Sequence, residues 1–177
     1  HQDLRDATVL QFMRRYQVDN RQAARVLATA TRLLRDLQPS IADDHPDLRL
    51  LSWAAQLHEI GISVAHAGYH KHSAYIVGNA DMPGFSRMDQ SRLARIVLAH
   101  RGKLEKVYSA SADTRDWPLI FCLRLAALLH RSREDFTEMP LRLERVAQGY
   151  VLHAQAEWLS DSPLTAASLH EEQRLWA

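Results

Sequence analysis

The sequence predicts a mainly α-helical fold that ends in a small β-hairpin-plus-helix appendage. Up to about residue 134, apolar residues recur every three or four positions, which is the period of a helix with one buried face. Beyond that point they alternate with polar residues, as they do in a half-buried strand. Glycine and proline separate the periodic stretches. We therefore expect a helical domain over residues 1–134 and an appendage over residues 135–177.

The helices of the first domain are predicted from their apolar stripes and their capping residues. Residues 3–16 are amphipathic, and Asp19 with Gln22 is a capping-box start for a second helix that ends near Gln38. Pro46 suits the first turn of a third helix. The next predicted elements are a short helix over 72–78, a helix from the Ser86 cap to Gly102, a polar loop over 103–116 and an apolar helix over 117–129.

The appendage is predicted from a change of period. Leu141 and Leu143 alternate with charged residues, Gly149 marks a turn, and residues 150–156 alternate again, which indicates a hairpin. Pro163 begins a final helix. Because an isolated hairpin is only marginally stable in water, we expect it to pack on the helices or to pair with strands beyond the end of this sequence.

Composition excludes several classes of protein. With 46% hydrophobic and 24% charged residues the chain is globular rather than disordered, and its net charge of +1 points to no particular partner. The single Cys122 excludes an internal disulfide and fits a reducing compartment. No apolar run reaches about 18 residues, so we expect no membrane insertion and a cytoplasmic location. The aromatic residues are not interleaved with basic ones, so we expect no nucleic-acid partner.

The functional centre is predicted at the end of the third helix, where polar, titratable residues follow an apolar run. Burying such groups costs free energy unless each has a partner, so they are seldom there for packing alone. One interpretation is a metal site, in which ligands converge within about 2.0–2.2 Å of an ion. The alternative is that His58 is a hydrogen-bonded core histidine. The metal-ligand candidates are His58, Glu59, His66, His70, His72 and His100.

A second interpretation of the same region is an anion site that needs no metal. Three histidines lie just before or at the start of the short fourth helix, where backbone N–H groups are unpaired, and basic residues end the next helix. If the two segments meet in space, they form a phosphate site; if they do not, they are a solvated basic face. The predicted phosphate-binding residues are His66, His70, Lys71, His72, Arg101, Lys103 and Lys106. No residue is predicted to be catalytic, since no elbow motif or ordered aspartate supports a serine nucleophile.

Three segments, residues 57–61, 66–76 and 79–85, resemble the C-terminal region of the exopolyphosphatase / guanosine pentaphosphate phosphatase family. The histidine-rich residues 70–73 and the pair His100-Arg101 are similar to the exopolyphosphatase branch. The resemblance implies an HD-domain-like helical bundle that follows an actin-like catalytic half, and it implies that this chain is the second half only. It places the family's Mg²⁺ in the absent half, so no cofactor is expected here.

The chain departs from the metal-dependent HD phosphohydrolases at two points. It has Ala23-Ala24-Arg25 where those enzymes carry an early ligand histidine, and its histidine-acid pair is the degenerate His58-Glu59. The resemblance therefore implies a domain that binds inorganic polyphosphate and supports a homodimer, while the missing N-terminal half removes the terminal phosphate. The alternatives are the corresponding domain of a guanosine pentaphosphate phosphatase, a module that chiefly supplies a dimer surface, and a divergent metal-dependent HD phosphohydrolase.

Overall fold

The computed structural model describes residues 3–104 and 115–176, and within them the fold is mainly α-helical, as predicted. A short 3-10 turn, Ile60–Ser63, lies between the third and fourth helices. In chain order, the elements are α1 (Leu4–Arg15), α2 (Asn20–Leu37), α3 (Pro46–Leu57), α4 (Tyr69–Asn79), α5 (Arg87–Ala99), α6 (Asp116–Leu129), β1 (Leu141–Val146), β2 (Gly149–Ala154), α7 (Ala156–Asp161) and α8 (Pro163–Leu175).

The predicted capping residues begin their helices. The Asp19 carboxylate accepts hydrogen bonds from the backbone N–H groups of Arg21 and Gln22, each at 3.1 Å, and so begins α2. Ser86 Oγ accepts from the backbone N–H of Asp89 at 3.0 Å at the start of α5. These bonds satisfy N–H groups that have no partner within the helix, which is why α2 and α5 start where the sequence predicts.

The core is formed by one cluster of apolar side chains at the centre of the bundle. Helix α2 packs against α3 and α6, α3 also contacts α5, and α4 lies along α5. Each helix buries one stripe, as its three-to-four spacing predicts. Fully buried members of this cluster include Leu33, Leu34, Leu51, Leu57, Ile60, Ile96 and Leu123.

The hairpin packs on the helices. Strands β1 and β2 pair antiparallel, with Leu141 opposite Ala154 and Leu143 opposite Leu152. Leu141 and Leu143 are buried in the same cluster as the helical residues, and the Leu143 backbone N–H donates to Asp36 Oδ2 on α2 at 3.1 Å. The burial of one face on α2 stabilises a two-stranded ribbon that would otherwise be marginal.

Two elements differ from prediction. Helix α4 begins at Tyr69 rather than at residue 72, because Gly68 adopts a left-handed conformation (φ 64°) that starts it, and because Tyr69, Ser73 and Val77 bury one side at helical spacing. Helix α7 was not predicted. The predicted polar loop lies largely outside the described residues. No helix in the described part of the chain is long and apolar enough to cross a membrane.

Candidate anion-binding site

A pocket of about 450 Å³ opens where the ends of α3 and α5 meet the start of α4 and the end of α6. It lies beside the predicted functional centre. Its polar lining comes from helices α2, α4, α6 and α8 and from the segments that follow α3, α5 and α6. The polar residues that line it are Gln22, His58, Glu59, His66, Tyr69, His100, Arg101, Arg124, Arg131, Arg133 and Glu172.

The shape of the pocket depends on a close approach between the 3-10 turn and α4. Ser73 Oγ donates a hydrogen bond to the His58 carbonyl oxygen at 2.8 Å and accepts one from the Gly61 N–H at 2.8 Å. A Cβ atom on Gly61 would lie 2.3 Å from the Tyr69 carbonyl oxygen, closer than atoms can approach. A glycine at this position therefore lets α4 lie against the end of α3, and this brings Tyr69 next to His58 and His100.

The floor of the pocket is a cluster of buried imidazole rings. The rings of His58 and His100 are 5.0 Å apart, and each Nδ1 atom hydrogen-bonds a carbonyl oxygen three residues earlier in its own helix. In the neutral ring Nδ1 is then the donor, so His100 Nε2 accepts from the Tyr69 hydroxyl, 3.1 Å away. Burial lowers the pKa of both histidines, that of His100 well below its usual range. His58, only 2% exposed, is thus a neutral, hydrogen-bonded core histidine.

Glu59 is held by an arginine. Its carboxylate lies 2.7 Å from Arg133 NH2, and Arg133 NH1 lies 3.1 Å from Asp19 Oδ2. Backbone hydrogen bonding, chiefly from Gln22, lowers the pKa of Asp19. The Arg133 guanidinium thus lies between two carboxylates. Among residues 3–104 and 115–176, no group of three or more histidine, cysteine, aspartate or glutamate side chains could hold a metal ion. The donors in this part of the chain therefore do not fit a magnesium or zinc centre.

Two arginines give the pocket its positive charge. The Arg101 guanidinium lies over the Tyr69 ring, 4.8 Å from its centroid, and Arg131 NH1 donates to Ser168 Oγ at 3.0 Å. Within the described residues, no carboxylate is at ion-pair distance from Arg101 or Arg131. His66 lies at the mouth with its ring 6.0 Å from that of Tyr69. As far as the described residues show, the guanidinium groups of Arg101 and Arg131 can therefore meet an anion in the pocket.

The predicted phosphate-binding residues that the structure describes divide into three groups. His66 and Arg101 line the pocket. His70 lies behind it, with its ring 6.3 Å from that of His100; its pKa is lowered, first by burial and then by Arg101, and its Nδ1 atom has no hydrogen-bond partner among the described residues. Lys71, His72 and Lys103 are not part of the lining, and Lys106 lies outside the described residues.

Sequence reasoning missed three arginines of the pocket. Arg131 and Arg133 follow α6 and reach the site only because α6 packs against α2 and α5, which no local pattern predicts. Arg124 is different, because it is the one charged residue after the first turn of the apolar helix α6. A charged residue in such a stretch needs a buried partner, and this requirement could have identified it.

The fold and the pocket define a class of protein, a mainly helical domain with a pocket lined by arginine, histidine and tyrosine side chains. A family model described as Ppx/GppA phosphatase, domain III, matches residues 4–173. The chain is also 33% identical to the guanosine-5'-triphosphate,3'-diphosphate pyrophosphatase of Pseudoalteromonas translucida over 97% of its length. Proteins of the same name from Vibrio atlanticus and Vibrio vulnificus are 32% and 31% identical over 97% and 96% of the chain.

This chain belongs to the Ppx/GppA phosphatase family and corresponds to its domain III. It spans about 35% of the length of the curated relatives it matches. Those relatives are named for a guanosine nucleotide. They therefore favour the guanosine pentaphosphate alternative over the exopolyphosphatase branch that residues 70–73 and His100-Arg101 suggested.

Proposed function

We propose that this chain holds the phosphates of a guanosine 5'-triphosphate 3'-diphosphate type of substrate while another part of a longer phosphatase hydrolyses it. The names of the relatives support this substrate class. The observation that supports phosphate binding is the position of Arg101. It lines the pocket, and within the described residues it has no carboxylate partner.

The geometry suits a polyanion. A guanidinium presents its donors in a plane that matches two phosphate oxygens, and stacking on Tyr69 fixes the orientation of Arg101 before the ligand arrives. A side chain that is already ordered loses less conformational entropy on binding. Arg131 and His66 lie on the same pocket, so successive phosphates of one ligand can contact different groups. Several contacts to one chain of phosphates also keep it close to the hydrolytic part after each cleavage.

A metal-dependent hydrolysis by this domain is less well supported. The Nε2 atom of His100, which a metal would need because Nδ1 carries the proton, accepts a hydrogen bond from the Tyr69 hydroxyl, and the Glu59 carboxylate is paired with Arg133. Using these two groups as metal ligands would break both contacts, which costs free energy.

The homodimer stays a prediction. The apolar faces of α2 and α6 are buried in the core of the chain itself, so they do not supply a dimer surface. Any such surface must therefore come from exposed side chains.

The test is calorimetric titration of the chain with guanosine pentaphosphate and with inorganic tripolyphosphate at two salt concentrations. Removing a hydrogen-bonding charge costs about 1.5–3 kcal/mol, so Arg101→Ala should weaken binding about tenfold or more. Arg87→Ala is the matched control, because Arg87 is exposed at the opposite end of α5. Binding should also weaken at high salt.

Equal affinity of Arg101→Ala and the parent chain, or an affinity indifferent to salt, would contradict the proposal. Tighter binding of the nucleotide than of tripolyphosphate would indicate that the guanosine moiety is also contacted. Equal affinity for the nucleotide and for tripolyphosphate would favour inorganic polyphosphate as the ligand.

A further inference from the structure

One wall of the pocket is a buried ion pair between α6 and the last helix. Arg124, 4% exposed, donates from NH2 to Glu172 Oε1 at 2.6 Å and from Nε to Oε2 at 3.0 Å. Its NH1 donates to the Ala99 carbonyl oxygen at 2.7 Å. Both side chains line the pocket, so a ligand there can reach the pair. The guanidinium is fixed by Ala99, and the face that it turns to Glu172 is the two-donor face that also fits a phosphate.

The helix that supplies the carboxylate buries few side chains, although Leu169 and Leu175 pack partly against the core. Glu172 is the only buried residue of α8, all of which the structure describes. Trp176, just after α8, donates its indole N–H to Glu172 Oε2 at 3.1 Å and packs against Phe121 and Trp117. The carboxylate is therefore the buried polar anchor of α8, beside the exposed bond between Arg131 and Ser168, and it also accepts the Trp176 indole N–H.

We propose that Arg124 is a further phosphate-binding residue of this pocket, and that Glu172 occupies its guanidinium until a phosphate displaces it. The inference rests on the proposed function. In the exchange, Arg124 keeps its bond to Ala99 and trades one bidentate carboxylate for a phosphate group of higher charge. The buried Arg124 guanidinium is paired with an anion both before and after the exchange. A bound polyanion therefore does not have to offset the cost of an unpaired buried charge.

The exchange has a consequence for the end of the chain. Glu172 leaves the pocket when phosphate enters, so α8 and Trp176 lose their anchor. Ligand binding in the pocket thereby loosens the C-terminal helix. Because the position of α8 and phosphate binding are linked equilibria, an interaction that stabilises α8 in its docked position weakens phosphate binding by the same coupling free energy.

The first arm of the test is tripolyphosphate titration of the 177-residue chain and its Glu172→Gln variant. Glutamine has nearly the same size and removes the competing charge, so its affinity should be about tenfold higher than that of the parent chain. Glu171→Gln is the matched control, since Glu171 is exposed one position earlier and should leave the affinity unchanged. Arg124→Gln together with Glu172→Gln should lose the gain.

The second arm uses only the parent chain, so it still tests the inference if the Glu172→Gln variant fails to fold. Amide hydrogen exchange of residues 163–175 in the parent chain should become faster at saturating tripolyphosphate, while that of α2 should not. Unchanged or slower exchange in α8, or a Glu172→Gln affinity equal to or below that of the parent, overturns the inference. If the parent chain binds tripolyphosphate through Arg101 but one of these two overturning results is found, only the inference fails. If neither the parent chain nor the Glu172→Gln variant binds tripolyphosphate, the proposed function fails too.

Discussion

At the scale of single residues, Gly61 has the strictest requirement in the site. A Cβ atom there would lie 2.3 Å from the Tyr69 carbonyl oxygen and 2.5 Å from the Ser73 backbone nitrogen. Both neighbours are backbone atoms of α4, so relief requires a shift of the whole helix. That shift would also break the Gly61 to Ser73 hydrogen bond and move Tyr69 away from Arg101.

We expect Gly61→Ala to destabilise the chain by about 3 kcal/mol, the upper range for overpacking at a buried position. Gly78→Ala is the control, because Gly78 is exposed on α4 and its added Cβ would meet only Ala94 Cβ at an ordinary 3.5 Å. In that helical position alanine should be neutral or stabilise by up to about 1 kcal/mol. Urea denaturation of both variants measures the difference, and equal stabilities would show that α4 can move without cost.

Among the histidines, burial rather than charge determines the role. His58 and His100 have lowered pKa values and donate from Nδ1 to the backbone, so they shape the floor of the pocket as neutral groups. Arg101 and Arg131 supply guanidinium groups to the same pocket. Anion binding should therefore depend mainly on arginine, although the sequence drew attention to histidine.

At the scale of elements, a buried aspartate joins two helices that build the site. Asp116, in the first turn of α6, is fully buried and lies 2.8 Å from Arg92 NH2 and 2.9 Å from Arg95 NH1 on α5. Helix α5 ends at Ala99, two residues before Arg101, and α6 ends at Leu129, two residues before Arg131. The two ion pairs therefore fix the start of α6 against the helix that leads to Arg101.

Replacing Asp116 with alanine leaves two largely buried guanidinium groups without their common partner. We expect a loss of about 3–5 kcal/mol in the free energy of unfolding, the usual cost of breaking a buried ion pair from one side. Asp43→Ala removes an exposed pair with Arg35 and should cost less than about 1 kcal/mol. The comparison is made by thermal and chemical denaturation. Similar losses in the two variants would mean that Arg92 recovers its charge balance from Asp47, 3.6 Å away.

The elements also show what the sequence could predict. Local chemistry determined the starts of α2 and α5, because the caps at Asp19 and Ser86 act within three residues. Local patterns also found His66 and Arg101. They could not find Arg133, which meets Glu59 across 74 positions of sequence, because that contact depends on how α6 crosses the bundle. Helix α4 was predicted too short because its burial depends on contact with the 3-10 turn.

At the scale of the whole molecule, the hairpin and the helices share one core. Leu141 and Leu143 are buried among residues of the helical bundle, and β1 packs on α2. The sequence predicts a helical domain and an appendage because the apolar period changes near residue 134. Packing, however, connects the two parts through the same apolar cluster, so we expect them to unfold together.

Leu143→Ala tests this connection. Removing a buried leucine costs about 2–5 kcal/mol, and in a shared core the loss should appear in every part of the chain. Amides of α2 and of β1 should therefore lose hydrogen-exchange protection together, and the circular dichroism and tryptophan fluorescence transitions should coincide. Val146→Ala, at the 39% exposed end of β1, is the control and should change little. If β1 alone lost protection while α2 kept it, the hairpin would be a separate cooperative unit packed on a helical domain that is stable without it.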